Sequence, residues 1–249
     1  MKAYRRERIL SFLNENKAAT IKELHSLFPE ISLMTIHRDL QFLEEKGALV
    51  RVRGGAKSVE RNLEPIFTAR ELENSAAKDH MAQKAVSLIK PGSSIFLDAG
   101  TSCLALARHL PDIEVSIFTN APNIALELMR FQKPSINICG GNLNRANLSL
   151  SGHNTLEMLE NINIDTAFIG VGGYTPQSGF TGGKENETLV KKLVISRSMK
   201  VVALMDTSKI GKVLPYTFAQ LGDFDYIVDD GKLPEDFLRA AKEKQVNII

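Results

Sequence analysis

The sequence predicts an α/β protein: a small helical module ending in a basic hairpin, then a mostly parallel sheet layered with helices. Three observations carry this. Short helical patterns with recognisable start signals fill residues 4–45. A strand, a Gly-Gly turn and a returning strand follow as "ALVRVRGGAKS" (48–58). Beyond residue 90, apolar runs of strand length alternate with helical stretches, the grammar of βαβ units.

A chain of 249 residues holds one large domain or two unequal ones and can bury a core without staples. With 43% hydrophobic and 24% charged residues it is neither disordered nor collagen-like. Two cysteines, Cys103 and Cys139, are too few for a disulfide framework, match no metal-ligand spacing and read as small buried hydrophobes. The basic start "MKAYRRERIL" lacks the apolar segment of a secretory signal, and no apolar run approaches the ~18 residues of a membrane span. A cytoplasmic protein is expected, with no cofactor, no metal and no membrane partner. Net charge is only +2, but residues 1–61 carry twelve Lys/Arg against eight Asp/Glu, so the basic excess sits at the N-terminus.

Element by element, residues 4–14 place Ile9, Leu10 and Leu13 on one helical stripe. Thr20 opens a second helix, where Glu23 completes a capping box, and Ile21, Leu24 and Phe28 point inward before Pro29 stops it. Ser32 is a good N-cap for a third helix, which Gly47 is placed to end. On a wheel of about 100° per residue, Leu33, Ile36, Leu40 and Leu43 share one arc. Arg38 lies opposite with Met34, Thr35 and Gln41 around it, His37 is nearer the seam, and Phe42 points outward. An apolar face backed by Arg, Thr and Gln suits a helix in a DNA major groove, where Arg reads guanine and Thr or Gln meets phosphates or bases. An ordinary solvated face would look the same. The neighbours favour DNA: the Thr20–Leu40 segment has helix-turn-helix length, Arg51 and Arg53 lie on the hairpin, and Arg5, Arg6 and Arg8 open the first helix. Together these outline a winged helix-turn-helix.

Residues 63–90 read as a connector, in which one helix follows Glu64-Pro65 and ends at Lys90-Pro91-Gly92. Strands are then expected at 94–98, 115–120, 135–139, 166–171, 200–206 and 225–230, with helices at 101–110, 122–131, 153–160, 185–198 and 234–244. In such sheets ligands sit beyond the carboxyl ends of the strands. There "LDAGTS" offers Asp98, Gly100, Thr101 and Ser102 at a helix start, where exposed amides and hydroxyls suit an anion. "FTNAPN" offers Thr119 and Asn120, "CGGN" offers Gly140 and Gly141, and "GVGGYTPQSGFTGG" reads as a long glycine-rich loop. Lys209 of "DTSK" is a natural partner for an anionic ligand. Neither GxGxxG nor a Walker A sequence is present.

"RRERIL", "TIKEL", "SLMTIHRDLQFLEEKGAL" and "RVRGGA" resemble the N-terminal domain of the DeoR family of bacterial transcription regulators, over roughly residues 4–56. His37 stands where Arg is usual in that pattern, and Arg53 where His is usual, which puts base preference in question. The second half resembles the family's effector domain, including "LSLSG" (148–152) and "DTSK", and that domain is similar in fold to ribose-5-phosphate isomerase. The resemblance implies a DNA-binding domain at 1–58, a linker and connecting helix at 59–90, and an α/β effector domain at 91–249. It further implies a homo-oligomeric regulator, a repressor of a carbohydrate-utilisation operon that binds double-stranded operator DNA under the control of a phosphorylated sugar or related metabolite.

The DNA-contacting set is then Arg5, Arg6, Thr20, Ser32, Met34, Thr35, His37, Arg38, Gln41, Arg51 and Arg53. By motif position the effector contacts would be Asp98, Gly100, Thr101, Ser102, Thr119, Asn120, Gly141, Glu187 and Lys209, with Glu185 the competitor for the Glu187 role. An isomerase-like enzyme with an accessory N-terminal domain is the competing reading. Such enzymes carry an Asp-Gly-Ala-Asp-Glu run after the strand matching "AFIGVGG", and here Ile169-Gly170-Val171-Gly172-Gly173 lacks all three carboxylates. Sugar isomerisation needs a positioned acid and base, so a sensor without turnover is expected. A protein-interaction role for the N-terminal module is the third alternative.

Overall fold

The computed structural model describes residues 2–45, 48–58, 60–61 and 67–249, with the backbone alone at 3, 14, 60, 61 and 69. Gly47, Glu64-Pro65 and the expected 58/59 boundary fall wholly or partly outside the described residues.

The N-terminal module runs α1 (Lys2–Asn16), β1 (Ala18–Thr20), α2 (Ile21–Ser26), α3 (Leu33–Glu45), β2 (Leu49–Val52), β3 (Gly55–Ser58) and β4 (Glu60–Arg61). The expected capping box is present at Thr20, whose hydroxyl accepts from the Glu23 amide at 3.2 Å while Glu23 accepts from the Thr20 amide at 2.7 Å. Ser32 starts α3 by accepting from the Thr35 amide at 3.3 Å. The hairpin β2–β3 is widened by β1, which pairs antiparallel with β3. Gly55 permits that approach, because a Cβ there would lie 2.1 Å from the Ala19 carbonyl oxygen. Ile9, Leu13, Leu24, Phe28, Ile36, Leu40, Leu43 and Leu49 form this module's own core. Leu33 departs from the expected apolar arc and is 50% exposed. As the first helical residue its side chain leans toward the N-terminus, past the end of the packed face.

The expected single connecting helix is broken into α4 (Phe67–Leu72) and α5 (Ser75–Ala85). At the break Asn74 adopts φ 52°, a left-handed conformation that Asn tolerates, and its amide donates to Asp206 Oδ1 and Ser208 Oγ at 3.2 Å each. A tertiary contact, invisible in the local pattern, therefore holds the kink.

The body follows as β5 (Ser94–Leu97), α6 (Thr101–His109), β6 (Ser116–Thr119), α7 (Pro122–Leu128), β7 (Ser135–Ile138), β8 (Asn142–Asn144), β9 (Ser149–Ser151), α8 (His153–Glu160) and β10 (Ile164–Gly170). After these come β11 (Gly173–Thr175), β12 (Gly179–Gly182), α9 (Glu185–Arg197), β13 (Ser198–Leu204), β14 (Lys212–Val213), β15 (Tyr216–Ala219), β16 (Tyr226–Val228), α10 (Glu235–Glu243) and β17 (Asn247–Ile248). Seven strands form one parallel sheet in the order β17-β16-β13-β10-β5-β6-β7. Both faces are covered, which explains the near-continuous apolar strands. Ala167, Ile169, Val201 and Ala203 face one core, whereas Phe168, Val202 and Leu204 face the other. The expected glycine-rich loop at 170–183 is instead the hairpin β11–β12, joined by β15 into a small antiparallel sheet. Chain order reverses between β5 and β10, and the crevice above that switch point is where an open α/β sheet takes its ligand.

Candidate functional site

Two sites are built by these elements. On α3 the buried side chains are Ile36, Asp39, Leu40 and Leu43, so the opposite surface presents Met34, His37, Arg38 and Gln41 to solvent, with Thr35 half-buried. Met34 is 62% exposed on this face. The Ser32 and Thr35 hydroxyls lie 3.0 Å apart, and Gln41 donates to Glu45. Arg53 is exposed at the Gly54 turn, while the Arg51 amide donates to Glu44 at 2.9 Å and fixes the hairpin to α3.

Arg5 and Arg6, expected among the DNA contacts, are engaged within the module. Their Nε atoms donate to the two oxygens of buried Asp39 at 2.5 and 2.7 Å, and their side chains are only 11% and 15% exposed. The Arg6 guanidinium also covers the Phe42 ring at 3.4 Å, which explains an aromatic residue on the outer arc of α3. This cluster bolts α1 to α3, orienting the presented face. Its signal was legible: Asp39 lies three residues after Ile36, on the packed side of the stripe.

The second site is a polar pocket above the switch point. Its lining includes Gly100, Thr101 and Ser102 at the start of α6, Gly170–Gly172 after β10, Glu187, Thr188 and Lys191 of α9, and Lys209, Lys212 and Leu214. Arg70, Glu73 and Lys78 of the connector close one side. The basic side chains outnumber the acidic ones five to two, and the α6 N-terminus faces the same space, so the pocket favours an anion. The Thr188 hydroxyl is buried and has no hydrogen-bond partner among the described residues.

Asp98 stands just beneath. Its Oδ2 accepts from the Gly170 amide at 3.0 Å and from Lys191 Nζ, which also donates to the Gly170 carbonyl at 2.8 Å. Burial pushes the Asp98 carboxyl above the usual carboxylate range, against the opposing pull of Lys191. Asp98 thus braces the pocket floor and is already engaged. Glu187 is held from behind by Asn144 Nδ2 at 2.8 Å, Asn147 Nδ2 at 2.9 Å and Ser149 Oγ at 2.7 Å. Glu187, and not Glu185, lines this pocket. Lys78 is buried, its ammonium donating to the carbonyls of Arg70 and Glu73. Burial first, then the nearby Lys209 charge, lowers its pKa.

Of the expected effector residues, Gly100, Thr101, Ser102, Glu187 and Lys209 come together. Thr119, Asn120 and Gly141 lie outside the lining. The Thr119 hydroxyl donates to the Leu97 carbonyl at 2.7 Å, and Asn120 bridges the Ala99 amide and the Leu150 carbonyl. Gly141, at φ 137°, packs where a Cβ would lie 2.2 Å from the Thr155 hydroxyl. These three shape strand ends. Sequence reasoning missed Arg70, Lys78, Lys191 and Lys212. Two carried a signal, since Lys78 shares a helical stripe with Met81, Ala82 and Ala85, and Lys191 shares one with Thr188 and Val194. Burial drives the Cys103 thiol pKa up and that of Cys139 up to about 11. Among the described residues no helix is long and apolar enough to cross a membrane.

Residues 5–62 match the model of the DeoR-like helix-turn-helix domain, and residues 73–231 match that of the DeoR C-terminal sensor domain. The chain is 35% identical to the HTH-type transcriptional regulator YgbI of Escherichia coli (strain K12), covering 98% of this chain and 96% of that one. It is 34% identical to the HTH-type transcriptional repressor GlcR of Bacillus subtilis (strain 168), covering 93% and 90%. Among solved structures, ribose 5-phosphate isomerase A from Methanocaldococcus jannaschii is similar over 55% of each chain, at 20% identity and a TM-score of 0.42.

Proposed function

Because the chain belongs to the DeoR family of transcriptional regulators, we propose that it is a cytoplasmic repressor of a carbohydrate-utilisation operon, released from or recruited to its operator by a phosphorylated sugar or related metabolite. The DNA-binding helix-turn-helix and the sensor domain are properties of the family. The operon, the effector class and the residue roles are our reading. It rests chiefly on one observation: an α6 N-terminus, Lys209, Lys212 and the unpartnered Thr188 hydroxyl converge on one pocket at the switch point.

In this reading Gly100, Thr101, Ser102 and Lys209 hold the phosphate, with Lys212 beside them. Glu187, fixed by Asn144, Asn147 and Ser149, accepts from sugar hydroxyls. Asp98 positions Lys191 and the Gly170 turn. On DNA, Arg38 reads a base edge, with Met34, Thr35, His37 and Gln41 around it. Thr20, Ser32, Arg51 and Arg53 meet the backbone, and Arg5 and Arg6 act through the orientation of α3. Two copies would place their α3 helices about 34 Å apart on a two-fold operator.

Selection of duplexes from a random pool by the full chain, followed by a phosphosugar panel scored for altered duplex affinity, tests this directly. The expected result is one enriched palindromic site and at least one panel member that shifts affinity without being converted. Conversion of a panel sugar, or the absence of any salt-dependent duplex binding, overturns the reading.

A further inference from the structure

We propose that the pocket signals to the DNA-binding module through a clasp: the loop between β13 and β15 offers Lys209 and Lys212 to the pocket while gripping the strand that leaves the wing. The proposal rests on the anion-pocket reading above. Lys209, Lys212 and Leu214 all line the pocket. Between the two lysines, Gly211 at φ 82° lies against the wing, close enough that a Cβ would sit 3.6 Å from Cγ2 of Val50. Val50 is buried in β2, the strand that carries Arg51. One residue on, β14 pairs in parallel with β4, with Lys212 opposite Glu60 and Val213 opposite Arg61. Lys212 therefore belongs to both structures, since it lines the pocket and its backbone pairs in the clasp.

The loop is pinned on either side. Thr207 donates to Asp230 through its amide at 3.1 Å and its hydroxyl at 2.6 Å, and the Leu214 amide donates to Thr181 at 3.0 Å. Gly211 donates to the Tyr174 carbonyl at 2.9 Å. With Thr207 and Leu214 anchored to the body, an anion that draws on Lys209 and Lys212 bears on the stretch between them, where the Gly211 bond to Tyr174 and the clasp lie. The connector meets the same loop through Asn74, which donates to Asp206 and Ser208, and lines the same pocket through Lys78, which holds the Arg70 and Glu73 carbonyls of the connector. An anion shared between Lys78, Lys209 and Lys212 thus bears on both routes to the DNA-binding module. An effector shifts the clasp only as far as it binds the clasped and released arrangements differently.

Hydrogen exchange on the full chain, with and without saturating inorganic phosphate, provides the first test. Slower exchange at residues 100–102 together with altered exchange at 212–213 and 60–61 is expected. Protection at 100–102 with no change at the clasp overturns this proposal and leaves the pocket reading standing. No protection at 100–102 overturns both.

The second test is a reversible lock, Val213→Cys with Arg61→Cys, which are paired positions in the β14–β4 register. The native cysteines are buried and do not interfere. For the panel phosphosugar that shifts the wild-type chain, the oxidised variant should bind it with unchanged affinity. Its effect on duplex affinity should fall from the about 5–150-fold of typical couplings toward onefold, and reduction should restore it. An oxidised variant that keeps the full response overturns the clasp, and the reduced form of the same protein controls for folding.

Discussion

The α3 face and the pocket are both polar, but their groups are held in opposite ways. On α3 the side chains aimed outward, Met34, His37, Arg38 and Gln41, sit on solvent, and the support lies behind them in Asp39, Arg5 and Arg6. In the pocket the lining groups are themselves part of the support. Glu187 accepts from three neighbours, and Lys78 and Lys191 are buried with their ammonium groups engaged. The difference teaches where a substitution stays local. A face whose groups point at water can change its reading without changing the fold, whereas a pocket of interlocked buried charge cannot lose one member cheaply.

Asp98→Ala should give the largest effect, since it strands the buried Lys191 ammonium. Loss of about 3–5 kcal/mol of stability is expected from an unpaired buried charge, read by urea unfolding of the full chain. A wild-type midpoint would erase the contrast between the two regions. Lys209→Ala comes next. Removing one charged donor should cost about 1.5–3 kcal/mol of phosphosugar binding, while duplex affinity without the sugar stays at wild type. Calorimetry and anisotropy on the same preparation separate the two quantities.

Arg38→Ala tests the other side. Specific duplex affinity should fall by about 1–3 kcal/mol, with base preference relaxed at one position and the unfolding midpoint unmoved. If affinity held while stability dropped, α3 would belong with the interlocked class. Thr20→Ala should produce the smallest change, about 1 kcal/mol of stability from the lost cap. Its partner Glu23 adds a pH signature, because hydrogen bonds from the Thr20 amide and hydroxyl lower its pKa below the ordinary 4.5. The folded state then binds fewer protons than the unfolded one across that window. The stability gap between wild type and Glu23→Gln should be present above pH 4.5 and close as pH falls through the lowered value. A gap that widened with acid would contradict the box.

Much of this was legible before any coordinates. Six of the seven strands of the parallel sheet and the helices between them follow from an apolar run and its flanking signals, and α2 and α3 follow from Thr20 and Ser32, because those signals act within a few residues, whereas the two-residue β17 was not expected. The connector shows where that reach ends. Nothing local in "TARELENSAAKDH" breaks a helix, and Asn74 turns left-handed because Asp206 and Ser208, more than 130 residues later, take its amide. The expected effector residues that lie outside the pocket lining follow the same rule. Thr119 and Asn120 have the right chemistry at the right strand end, yet their hydrogen bonds are used up between neighbouring strands.

The sequence by itself therefore determined most elements of the large sheet, the α/β architecture, the capped helix pair and the outward face of α3. Periodicity and capping are short-range physics written directly into residue order. Only the tertiary structure decided that Arg5 and Arg6 turn inward to Asp39, and that Glu187 outranks Glu185 at the pocket. It also decided that Arg70, Lys78, Lys191 and Lys212 converge from three separate segments on one anion-favouring space. Long-range electrostatics and burial depend on which segments meet, and residue order carries that information only through the fold.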